Sequence, residues 1–88
     1  MIASVLFEIA GWGGGVLIIA AYGLLTTGKL PAEGAAYQWL NVVGAVGVGL
    51  NGWWNGALPS VALNLVWGGI GLVALMRLGR ARAPAKAE

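Results

Sequence analysis

Glu8 is the only acidic side chain inside an otherwise apolar segment of this chain, and Asn41, Asn51, Asn55 and Asn64 are amides set within uncharged, largely apolar runs. A carboxylate in such a place admits three chemistries. At the end of a spanning helix it is ionised and hydrated; turned inward it binds a proton or cation, or accepts hydrogen bonds from Asn or Trp; turned outward it pairs with a cation on a partner subunit. The amides admit two: they line a polar cleft for a small neutral solute, or they join helices by hydrogen bonds across the seams. Residue type removes much else. With no Cys and no His, zinc, haem, iron–sulfur and thiol sites lose their usual ligands, and neither a Cys or His nucleophile nor a Ser–His–Asp triad is available. No paired carboxylates and no phosphate-cradling loop ending in Lys-Ser/Thr occur. The run Gly11-Trp12-Gly13-Gly14-Gly15 lies inside an apolar segment rather than after a strand. The chain is read as a non-enzyme without metal or cofactor.

The elements that position these residues follow from charge and hydropathy. Hydrophobic residues make up 59% of the 88 and charged residues 9%, against about a quarter charged in a soluble domain. The eight charged side chains leave positions 9–28 and 34–76 free of charge. About 20 apolar residues cross roughly 30 Å of hydrocarbon. The pattern predicts an all-α fold, an integral membrane bundle of three transmembrane helices at about 5–25, 37–57 and 59–77. They form one domain over 1–78, followed by a disordered basic cytoplasmic tail over 79–88. Thr26-Thr27-Gly28-Lys29-Leu30-Pro31 forms the first connection, and Gly56-Ala57-Leu58-Pro59-Ser60 forms a tight second one. Pro at the first turn of a helix loses no intrahelical bond, so Pro59 marks a start. The lack of a basic leader and the early Glu8 argue against a signal peptide.

Aromatic and basic residues give depth and direction. Tyr37 and Trp39 open the second span and Trp53 and Trp54 close it, as rings that favour the headgroup boundary do. Trp67, near the middle of the third span, is a packing residue. Lys29 follows the first span, and Arg77, Arg80, Arg82 and Lys86 follow the third. Positive charge on the inner side places the C-terminus in the cytoplasm and the N-terminus outside, in a bacterial inner membrane. Four of five basic residues flank an apolar segment, which is the pattern of a membrane-flanking tail and not of a nucleic-acid binder.

Each span separates its side chains onto faces. In the second, Asn41, Gly44, Val48, Asn51 and Asn55 fall within a sector of roughly 80°, opposite Trp39, Val43, Val46, Leu50, Trp53 and Ala57. The third gathers Ser60, Asn64, Trp67, Gly68, Gly71 and Leu75 against Ala62, Val66 and Val73. The first gathers Ser4, Glu8, Gly11, Gly15, Tyr22 and Thr26 against Leu6, Ala10, Leu17 and Leu24. Lipid tails are as apolar as Leu, so close backbone approach and interhelical hydrogen bonds hold such helices together. Sixteen Gly residues supply the first and Asn the second. Gly11 with Gly15, and Gly52 with Gly56, have the GxxxG spacing. The expected packing or cleft residues are thus Glu8, Gly11, Gly15, Asn41, Gly44, Asn51, Asn55, Asn64, Trp67, Gly68 and Gly71.

The order Tyr37-x-x-Leu40-Asn41-x-x-Gly44-Ala45, Asn51, Gly56-Ala57-Leu58-Pro59-Ser60, Leu63-Asn64-x-x-Trp67 resembles a family of short bacterial inner-membrane proteins of unassigned function. That resemblance implies three membrane helices and no reaction. In size and helix number the chain is also remotely similar to the SemiSWEET sugar half-transporters, which work as dimers of three-helix bundles. In that family a Trp and an Asn contribute to sugar binding, for which Trp53 or Trp54 and Asn64 are the matches. The first helix departs from that family in having no Pro-Gln motif and no Pro. Two functions follow as expectations. One is a structural or accessory subunit, packing as a homo-oligomer or within a larger membrane complex; the other is a homo-oligomeric carrier of a small neutral solute.

Overall fold

A computed structural model describes residues 1–87, with the backbone alone for 81–87. Three helices follow one another: α1 (Ile2–Thr26), α2 (Ala35–Trp54) and α3 (Leu58–Ala87). Among the described residues there is no strand. The helices run up, down and up, with α2 in the middle. It packs on both α1 and α3, while no Cα of α1 comes within 8 Å of one in α3. The arrangement is an open row and not a closed triangle. The fully enclosed space is accordingly small: among the described residues Ala21, Val42 and Ala45 are the buried hydrophobic ones and Asn41 the buried polar one.

Both connections are built the same way. α1 is closed off by Gly28, whose φ of +80° is a left-handed conformation open to glycine without penalty. Gly28 N–H donates to the Leu25 carbonyl and Lys29 N–H to that of Leu24, at 3.0 and 2.9 Å. α2 ends at Gly56, φ +72°, with Gly56 N–H donating to Trp53 and Ala57 N–H to Gly52, at 3.2 and 2.8 Å. Each is a Schellman closure that satisfies carbonyls at a helix end. The second helix therefore stops at Trp54 rather than 57, because Gly56 reverses the chain. Gly56 has no neighbour that an added Cβ would meet, so it is a turn residue and not half of a packing motif with Gly52. Pro59 lies in the first turn of α3, where its missing N–H has no intrahelical partner to lose.

The third helix is longer than its predicted end near 77. It continues to Ala87, because Leu, Arg and Ala, all strong helix formers, dominate 74–83. The side chains of Arg82, Lys86 and Glu88 lie outside the described residues. Among those described, α1 and the stretch Leu58–Arg80 are long and apolar enough to cross a membrane. α2 is not one of the two, since its amides and glycines lower its hydropathy.

Candidate functional site

Glycines make the α1–α2 seam. Ala10, Gly14, Ile18 and Ala21 recur at helical spacing on the side of α1 that meets Gly44, Gly47 and Val48 of α2. A Cβ placed on Gly14 would stand 2.5 Å from the Gly44 oxygen and 2.9 Å from the Val48 nitrogen, and one on Gly47 would stand 2.5 Å from the Ala10 oxygen. The two backbones are in direct contact, which only residues without a side chain permit. Near the end of the seam, Asn51 Nδ2 donates to the Phe7 carbonyl across the helices at 2.9 Å. Gly11 makes that reach possible: any Cβ there would sit 2.6 Å from Asn51 Cγ. The Phe7 ring stacks on Trp54, centroids 4.6 Å apart at 9°, and meets Trp53 at 5.8 Å.

The α2–α3 seam contains a side-chain hydrogen bond. Trp67 Nε1 donates to Asn41 Oδ1 at 3.0 Å, and Asn41 Nδ2 donates back to the Tyr37 carbonyl at 2.9 Å. Asn41 is 5% exposed, so an unmade bond here would strand a polar group away from water. Around this bond Gly71 lies under Val42 and Gly68 against Ala45, while Gly49 receives Asn64 and Gly52 receives Ser60. Asn64 Nδ2 donates to the Ser60 carbonyl at 2.8 Å, and Asn55 Nδ2 to the Asn51 carbonyl at 2.8 Å. Three of the four amides thus bond to the carbonyl one turn back, a local arrangement open to short polar side chains in helices. Asn51 is the fourth, and reaches the neighbouring helix instead.

Of the predicted residues, the structure brings together Gly11, Asn41, Gly44, Asn51, Asn64, Trp67, Gly68 and Gly71 along the two seams. Asn55 is exposed at the end of α2. Two others belong elsewhere. A Cβ on Gly15 would meet nothing within 4 Å, and the place expected for Gly15 in the seam is taken by Gly14, about 100° round the helix. Glu8, whose readings include exposure at a helix end, is exposed and stands beside an open groove of about 320 Å³ with Gly11, Trp12, Val48 and Asn51. Tyr22, on the same stripe of α1, is 67% exposed. The inner face of α1 is therefore rotated from the polar stripe to its small residues. The spacing Ala10-x-x-x-Gly14 was the available signal for it, whereas Phe7 carried no signal apart from its aromatic ring. Tyr37 is half-buried, and Trp39, Trp53 and Trp54 are exposed. Lys29, Arg77 and Arg80 are exposed too, at the end of the molecule shared by the C-terminal ends of α1 and α3.

A second groove, about 370 Å³, runs between α2 and α3 and includes Trp53 and Asn64. A third and larger one, about 980 Å³, lies between the α1–α2 connection and α3.

A protein-family model matches residues 7–82. The chain belongs to that uncharacterised family. The match takes in both seams and most of all three helices, so the Asn41–Trp67 and Gly14–Gly44 contacts lie inside the family region. Neither a curated protein nor a solved structure matches the chain.

Proposed function

We propose that this chain is a small inner-membrane protein that crosses the bilayer three times, N-terminus outside, and serves as a structural or accessory subunit. Its outward surface supports the membrane reading. Trp12, Ile19, Leu63, Leu65 and Ile70 are each more than 60% exposed, and the apolar stretches of α1 and α3 are only 6% and 11% buried. In water such a surface is a liability; in lipid it is the solvated face. The basic Lys29, Arg77 and Arg80 at one end favour the cytoplasm for that end.

One observation carries the accessory reading. Every Asn amide donates to an oxygen of this chain, and the buried Asn41 oxygen accepts from Trp67. Two of these amides are engaged across the seams, Asn41 with Trp67 and Asn51 with Phe7, while Asn55 and Asn64 bond within their own helices. A carrier is the second reading, supported by the groove that places Trp53 and Asn64 together. Purified protein in liposomes separates the two. The accessory reading expects no saturable flux of neutral sugars or polyols above that of protein-free vesicles, and a discrete oligomer or stoichiometric complex in mild detergent. Saturable flux that disappears in Asn64→Ala would replace it with the carrier.

A further inference from the structure

The groove of about 980 Å³ has a polar end and an apolar floor. Its mouth holds Glu33, Gln38 and Arg77, and its floor runs along α3 past Val73, Ile70 and Leu65. From Leu65 to Arg77 is 12 residues, a rise of about 18 Å, close to half of the roughly 30 Å hydrocarbon thickness. The groove therefore has the depth of one leaflet and carries its charges where headgroups lie. Gly69 lies on the floor with open space where a side chain would stand, which keeps the channel unobstructed. The mouth is held in place: Gln38 Nε2 donates to the Ala32 carbonyl at 3.0 Å, fixing the connection beside which Glu33 is exposed.

We infer that this groove binds one phospholipid with a primary-amine headgroup, an inference that rests on the membrane reading above. An acyl chain follows the apolar track of α3. The Arg77 guanidinium donates to the phosphate, as planar cationic donors do to phosphate oxygens. The Glu33 carboxylate accepts from the ammonium. A cation and an anion at one mouth complement a zwitterion, and Glu33 selects among zwitterions because a primary ammonium has N–H donors that a quaternary one lacks. An anionic lipid without an amine would meet Arg77 but also the repulsion of Glu33.

Native mass spectrometry of the full chain in detergent, titrated with phosphatidylethanolamine, phosphatidylcholine and phosphatidylglycerol of identical acyl chains, tests this. The ethanolamine lipid is expected to bind about tenfold more tightly than either of the others, the size of one charge-assisted hydrogen bond. Arg77→Gln is expected to weaken all three, and Glu33→Gln to remove only the preference for the amine. Both side chains are exposed, and unchanged helical circular dichroism checks that the variants fold. Equal binding of the three lipids, or a preference that survives Glu33→Gln, overturns the site. So does a disulfide between Gly69→Cys copies that shows the groove filled by a second chain. Alkaline carbonate washing of the source membranes separates the two levels. A chain that stays in the pellet without lipid preference sinks the lipid site alone, and a chain released to the supernatant sinks the membrane reading as well.

Discussion

Gly14→Ala is expected to destabilise the folded chain by about 3 kcal/mol, the upper part of the usual range for overpacking, while Gly15→Ala is neutral or stabilising. The two residues are neighbours on one helix and face different surroundings. A Cβ at Gly14 meets only backbone: the Gly44 oxygen at 2.5 Å, the Val48 nitrogen at 2.9 Å and the Gly47 Cα at 3.1 Å. No rotamer change relieves that, so α1 and α2 must separate along the seam. They then lose the close contact on which helix association in lipid depends. At Gly15, as at Gly13, nothing stands within 4 Å. There the substitution only removes the conformational freedom of glycine, worth up to about 1 kcal/mol in a helix interior. Denaturant titration of the parent chain and the two variants in micelles, followed by circular dichroism, measures the contrast. Equal stability of Gly14→Ala and Gly15→Ala would show that the seam is not where the structure places it.

The second large effect is a coupling between Asn41 and Trp67. Asn41→Ala removes the acceptor at 3.0 Å from Trp67 Nε1 and opens space in the most enclosed part of the α2–α3 seam. Trp67→Phe removes the donor and keeps most of the ring. In a double-mutant cycle the pair is expected to show a coupling of about 1 kcal/mol, within the range found for interhelical hydrogen bonds in membranes. Each single change leaves the other group of the pair without its partner, and Asn41→Ala is the costlier because it also opens space at a buried position. By contrast Asn55→Ala, which removes a bond within one helix end, is expected to change stability little. Additive single effects at Asn41 and Trp67 would assign the hydrogen bond no energetic role.

The difference between α1 and α2 shows what a chain of this kind reveals before folding. On α2 the glycines and the amides Asn41 and Asn51 lie on the two seams, and Trp39, Val43, Val46, Leu50 and Trp53, away from them, are all exposed. Polarity and closeness there point the same way. On α1 they diverge: Glu8 and Tyr22 suggest an inner face by polarity, yet close approach selects Ala10, Gly14 and Ala21 by size. On the proposed membrane reading, where apolar burial does not drive packing, size has the stronger effect. Gly52 and Gly56 teach a related point. Both are small, and their spacing is that of a packing motif, but only a turn uses the left-handed φ of Gly56. The central position of α2 was not legible, because three amphipathic faces are compatible with a triangle or a row. Nor was the course of α3 beyond Arg77, where helix propensity and charge density point in opposite directions.

Three crossings, with the two ends on opposite sides, are the central claim, and the absence of Cys makes it directly measurable. Single cysteines at Ser4, Lys29, Ala57 and Arg80, treated in intact cells with a membrane-impermeant maleimide, report the side on which each position lies. The account predicts labelling at Ser4 and Ala57 and protection at Lys29 and Arg80 until the membrane is permeabilised. Labelling of Ser4 and Arg80 from the same side, or equal labelling at all four, would contradict it.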